Sequence, residues 1–392
     1  MNPKKITFTL TKENIPYSGT VVFSFWNGII KLSSEFEGHD RPLVLKACAA
    51  YGDRITAVFL DYRMELYVNG RLIDEEWPEG EYLSDFVFMN VPRDYTIEDY
   101  IADEKELTPV LGTFTSVSNW LPGENVFVGD CMPYSDGKRY HVIYLKDRHH
   151  HSSKWGKGAH QWEHISTDDF LTWQIHPTAV PISRQWEGSI CTGSHIEIDG
   201  VHYLYYTIRT MDGSPAPICR SVSYDGYNYK KDFGFSFSLS DKYQASSARD
   251  PKIIKDDDGR YHMLVTTTLR ASNRGCLAHL ISDDNVKWYE TGNPVYVSDS
   301  ADEPECPDYI CVNGRYYLIF SLRGKGYYLV SEKPFSDFRS FDNNVIPCNS
   351  VPKCAIWKGK IVFTGFKGIN GYAGRMCFLS ASVDALGRMI FE

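Results

Sequence analysis

At 392 residues, with 43% hydrophobic and 14% aromatic side chains, the chain is long enough to bury two sizeable cores. Its formal net charge of −9 argues against nucleic acid or an anionic membrane as partner, and no stretch approaches the ~18 consecutive apolar residues of a membrane span. The ten cysteines are scattered without a single CxxC pair, which excludes the usual spacing of a structural zinc site and predicts reduced thiols. The start, Met1 to Phe8, lacks the apolar core of a signal peptide, so the expected location is cytoplasmic.

In chain order, residues 1–112 read as short strands parted by turn residues: Ile6–Leu10, Val21–Phe25, Ile29–Leu32, Leu43–Lys46 and Ile55–Leu60. Next comes the hairpin Arg63–Asp74, whose Asn69-Gly70 turn tolerates positive φ at both central positions. Strands at this spacing predict a β-sandwich. The Leu66-Tyr67-Val68-Asn69-Gly70 turn resembles those of laminin-G-like and jelly-roll sandwiches. For such an accessory domain, packing or homo-oligomerisation stands beside carbohydrate binding as its role.

Residues 113–392 repeat one phrase five times, a turn glycine followed by an aromatic and β-branched strand. The glycines are Gly137, Gly200, Gly259, Gly314 and Gly359, spaced by 63, 59, 55 and 45 residues. Spacings of this order fit four-stranded propeller blades with variable loops and predict an all-β, five-bladed β-propeller. Upstream of four copies stand Asp130, Ser194, Asp250 and Glu305. The first strand of a blade lines the central channel, so three carboxylates from blades one, three and four should converge on one pocket. Asp256-Asp257-Asp258-Gly259 reads as a hairpin turn, because it lacks the downstream bidentate Glu of a calcium loop.

The wording around these positions is informative. The chain reads Ala248-Arg249-Asp250-Pro251 and Pro304-Glu305-Cys306-Pro307-Asp308. Between the first two blades it reads Trp155-Gly156, His160-Gln161-Trp162-Glu163-His164, Thr172-Trp173 and, further on, Trp186 and Thr192-Gly193-Ser194. Over about residues 120–390 the chain resembles glycoside hydrolase family 32, the β-fructofuranosidases. That family carries a His-Trp-Gly-His stretch, a Ser-Gly-Ser strand, Arg-Asp-Pro and Glu-Cys-Pro-Asp, and the four counterparts here follow the same order. The family's Trp-Met-Asn-Asp-Pro-Asn-Gly block is kept only as Asp130, within Phe127-Val128-Gly129-Asp130-Cys131-Met132-Pro133. A sandwich precedes the propeller here, where the family places one after it.

The resemblance implies a retaining glycosidase, with Asp130 as nucleophile, Asp250 as transition-state stabiliser and Glu305 as acid and then base. Cleavage passes through an oxocarbenium-like state that needs a proton for the leaving oxygen and negative charge near the anomeric carbon. Arg249 should hold Asp250, and Trp155, Trp162, Trp186, Ser194 and His164 are candidate substrate contacts. Histidines 149–151, 160 and 164 carry no carboxylate pattern, so neither a metal nor a cofactor is expected. The partner is a small carbohydrate. Two alternatives remain open on sequence: an inverting arabinofuranosidase or xylosidase-like propeller, and a catalytically silent carbohydrate-binding propeller.

Overall fold

The computed structural model describes residues 4–392 apart from 13–14, 38–39, 61–62, 78–88, 90–93, 100–111, 116–118, 124–125, 150–159, 185 and 349. Among the described residues, regular structure is all strand except for one 3-10 turn at Ala245–Ser247. No helix among the described residues is long and apolar enough to cross a membrane. All ten cysteines are free thiols. Seven are buried, whereas Cys48 and Cys311 are exposed and Cys377 is half-buried. The chain forms two compact units. The first comprises residues 1–110 with 157–159 and 183–185; the second comprises the remainder.

The first unit holds two antiparallel sheets. One runs in the order Arg71–Glu76, Arg63–Val68, Arg54–Leu60, Lys4–Thr9, Thr96–Asp99; the other is Val21–Trp26, Ile29–Ser34, Leu43–Cys48. Side chains alternate across a strand, so Val21 and Phe23 turn inward while Val22 and Ser24 face out. The inward set, including Ile6, Phe8, Phe23, Leu32, Leu45, Ile55 and Leu66, makes one core. Asn69 and Gly70 adopt φ of 53° and 78°, the left-handed pair that matches the twist of a tight hairpin. Asn27-Gly28 forms a second such turn at 51° and 77°.

The second unit is five antiparallel blades, of which I and V are hydrogen-bonded into one nine-stranded sheet. Blade I consists of Val126–Ser135, Tyr140–Arg148, His160–Thr167 and Thr172–Ile175, with Gly112–Thr115 added at its outer edge. Blade II consists of Glu187–Ile198, Val201–Thr210, Ile218–Ser223 and Lys230–Phe237. Blade III is Arg249–Lys255, Tyr261–Leu269, Arg274–Ser282 and Tyr289–Glu290, and blade IV is Glu305–Val312, Arg315–Leu322, Lys325–Ser331 and Val345–Ile346. Blade V is Ser350–Trp357, Lys360–Gly368, Gly374–Val383 and Met389–Phe391. The five first strands neighbour one another in a closed ring, blade I beside blade V. Pairing of Val128 with Gly374 and of Trp120 with Met376 joins those two blades.

The repeated phrase is the turn between the first and second strands of each blade, followed by the second strand itself. Its five glycines have φ between 74° and 87°. A Cβ added at any of them meets nothing within 4 Å. Backbone conformation, not space, therefore selects glycine there. At Asp256–Gly259 the turn is closed by the Asp256 carboxylate, which accepts from the Arg260 amide at 2.8 Å.

Candidate active site

In every blade the first strand slips against the second. The irregularities fall between Val128 and Cys131, Ile190 and Gly193, Arg249 and Lys252, Glu305 and Asp308, and Ser350 and Lys353. A bulge takes residues out of the ladder and re-aims their side chains. The residues so displaced include Asp130, Cys191, Thr192, Asp250, Cys306 and Val351. Three of them, Asp250, Cys306 and Val351, have φ of 58°, 52° and 52°, a region that costs an L-residue roughly 1–2 kcal/mol.

These residues line one cavity of about 700 Å3, together with Arg209, Arg249, Glu303, Glu305 and Tyr372. Asp130 is nearly buried and is held from three sides. The Tyr372 hydroxyl donates to its Oδ1 at 2.9 Å, and the Thr192 hydroxyl donates to its Oδ2. Cys306 Sγ lies 3.3 Å from that Oδ2 and 3.4 Å from Asp250 Oδ2, so its one proton can serve either carboxylate. The Asp130 amide in turn donates to the Tyr372 oxygen at 3.2 Å. Close approach of that ring explains Gly129: a Cβ there falls 2.7 Å from the Tyr372 oxygen.

Arg249 sits between the acids. Its Nη2 contacts Glu305 Oε1 at 2.8 Å, its Nε lies 3.6 Å from Asp250 Oδ2, and Nη1 pairs with Glu303. Burial lifts the Asp250 pKa to about 6; Arg249 opposes the shift, and the charges of Asp130 and Glu305 add to it. The Cys306 amide donates to Asp250 Oδ2 at 3.0 Å. For Glu303 burial pushes the pKa up, but Arg249 and hydrogen bonds from Thr268 and Ser247 together keep the carboxyl below its ordinary value. Glu305 is the accessible acid, its side chain 46% exposed. The result is a fixed, hydrogen-bonded carboxylate, a desolvated one and a reachable one around a single cavity, a set suited to acid–base and nucleophilic chemistry on a neutral polyol.

The other expected contacts are placed differently. Trp162 is fully buried between blades I and II. Its ring packs edge-on against Tyr206 and its indole N–H donates to the Cys191 carbonyl at 3.0 Å. Its ring presses on Gly193, where a Cβ would also fall 1.8 Å from the Tyr205 carbonyl oxygen. Ser194 ties blade II to blade III, donating to the Pro251 carbonyl at 2.9 Å and accepting from the Ile253 amide at 3.0 Å. His164 is buried within blade I. Trp186 is 44% exposed and is not among the cavity-lining residues. Trp155 lies outside the described residues. Blade II's contribution is therefore Thr192, two residues before the expected Ser194, because the bulge shifts the register.

Further along the same strands a second set of buried charges is tied across the blades. Buried Lys353 donates to the carbonyls of Gly193 at 3.1 Å and Pro307 at 2.8 Å. Buried Asp308 contacts Lys252 Nζ at 2.6 Å and accepts from the Cys354 amide at 2.7 Å. Burial would raise the Asp308 pKa, but Lys252 and Lys353 hold it below its ordinary value.

The glycosyl hydrolases family 32 N-terminal domain matches residues 124–342, the span that carries Asp130, Asp250 and Glu305. The chain belongs to glycosyl hydrolase family 32. Within that family it is 30% identical over 198 residues to sucrose-6-phosphate hydrolase of Bacillus subtilis (strain 168), covering 47% of this chain and 40% of that protein. The chain thus spans less than half the length of this curated relative. Fructan 1-exohydrolase IIa from Cichorium intybus, solved in complex with 1-kestose, superposes with a TM-score of 0.59 at 15% identity, over 71% of this chain and 60% of that one. A thermostable family-43 glycoside hydrolase superposes with a TM-score of 0.53 at 15% identity, over 71% and 96%. At these identities the structural likeness shows the fold alone, which both families share. The sequence match assigns the chain to family 32.

Proposed function

We propose that this family 32 chain cleaves β-fructofuranosidic bonds in small fructosides or fructo-oligosaccharides by a retaining, double-displacement mechanism. The observation that carries the reading is the convergence of Asp130, Asp250 and Glu305 on one cavity in a family 32 sequence. Glu305, the exposed acid, protonates the leaving oxygen as Asp130 attacks the anomeric carbon. Asp250 accepts hydrogen bonds from ring hydroxyls, contacts that strengthen as charge develops. Water activated by Glu305 then releases the sugar from Asp130 with net retention. The three donors around Asp130 support its role, because they orient the carboxylate without blocking its approach to the sugar. The relatives, a sucrose-6-phosphate hydrolase and a fructan 1-exohydrolase, support a small fructoside as substrate.

The test is free-fructose release from sucrose, sucrose 6-phosphate, 1-kestose, inulin and levan oligomers, run beside an arabinofuranoside and a xyloside. The expected outcome is fructose from at least one fructoside, falling at least ~10³-fold in Glu305→Gln. Turnover of the pentosides alone would overturn the reading.

A further inference from the structure

Blades I and III carry the same polar relay. In blade III the Asp256 carboxylate lies 2.8 Å from His262 Nε2, and His262 Nδ1 lies 2.8 Å from His279 Nε2. In blade I, Asp136 lies 3.3 Å from His141 Nε2, and His141 Nδ1 lies 3.0 Å from His164 Nε2. The relay is a cross-strand staple common to both blades. They differ at the next position outward, the residue whose amide donates at 2.9 Å to the carbonyl of the last histidine. Blade III has Thr291 there, and blade I has His176.

This one replacement brings three imidazoles together. A ring nitrogen from each of His141, His164 and His176 lies within 4.8 Å of the others, and all three side chains are buried. Two of the outer nitrogens, those of His141 and His176, are oriented as in metal sites, where supporting groups fix the tautomer of a ligating histidine. Asp136 faces His141 Nε2, and the Ser166 hydroxyl lies 2.7 Å from His176 Nε2. His164 Nδ1 is buried with no hydrogen-bond partner among the described residues. The Tyr134 hydroxyl, 3.5 Å from His164 Nε2, stands where a fourth, oxygen donor would come.

We propose that His141, His164 and His176 form a binding site for a divalent cation of the zinc class, absent from blade III. Imidazole nitrogens suit Zn2+, Co2+ and their neighbours. Zinc–nitrogen bonds of ~2.0–2.1 Å place tetrahedral ligands about 3.4 Å apart, so the rings need to close by little more than 1 Å. Burial favours the neutral form of all three rings, the form that ligates. Each neutral ring keeps one N–H and offers one lone pair, so binding changes tautomers without releasing a proton. The cation would fasten blade I beyond Asp130, whose strand also carries Tyr134.

The test is titration of the chelator-treated, full-length protein with Co2+, read by the visible absorption of tetrahedral cobalt and by metal content after dialysis. One equivalent is expected in the wild type and in His279→Ala, which disrupts the blade III pair. His176→Thr, which copies blade III, should lose the bands while keeping its far-ultraviolet circular dichroism. A wild type that takes up no Co2+, or a His176→Thr variant that binds it as well as wild type, overturns the proposal.

Discussion

Asp250 and Asp308 stand on the first strands of adjacent blades, both almost wholly buried, yet their surroundings drive them in opposite directions. At the open mouth Asp250 sits among other acids with only part of Arg249 to balance it, and burial raises its pKa to about 6. Further along the strands Asp308 has a lysine at 2.6 Å and a backbone donor at 2.7 Å, and stays below its ordinary value. The bulges mark the boundary between the two regimes. At them the strands re-aim strained side chains toward the cavity; below them regular pairing resumes, and Asp308 and Lys353 each have their partners. A single ring of strands thus makes a reactive end by leaving charge poorly compensated, and a rigid end by compensating it.

The two acids should respond to the same neutralisation with opposite signs. Asp308→Asn leaves Lys252 and buried Lys353 facing each other without a carboxylate, and should lower the unfolding free energy by ~3–5 kcal/mol in urea titrations at pH 7. For Asp250 the folded state holds the proton more tightly than the unfolded chain, whose ordinary value is 3.8. This group therefore favours folding below about pH 4, and the advantage is lost as pH rises through about 6. Asp250→Asn should accordingly gain up to ~3 kcal/mol at pH 7–8, with the gain disappearing below pH 4, while fructoside turnover collapses. Asp250→Asn destabilising the protein at pH 8 would break the comparison. The smallest effect sharpens it: Tyr372→Phe removes one donor from Asp130 and should cost about 1 kcal/mol of barrier, a five- to tenfold fall in kcat with KM little changed.

Much of the propeller was legible because its signal is local. Five turn glycines are demanded by φ alone, and the strands after them are rich in β-formers. The three acids were legible for the same reason, as each precedes its turn by a similar distance. Bulges were not legible, since an inserted residue does not interrupt a strand whose two faces are both buried. Hence Ser194 was expected where Thr192 stands. Trp162 illustrates a related limit: an indole on a strand covered on both faces carries no mark of whether it meets substrate or the next blade. Tyr372 reaches Asp130 from blade V across 242 residues, and none of its neighbours in sequence signals that contact.

The most direct measurement uses Glu305→Gln with β-fructosyl fluoride, whose leaving group needs no protonation. The first step then proceeds, and release stalls for want of the base. Mass spectrometry of the digested protein should find a fructosyl adduct on the peptide containing Asp130. No adduct anywhere, with steady turnover to inverted fructose, or an adduct on Asp250 instead, would contradict the account.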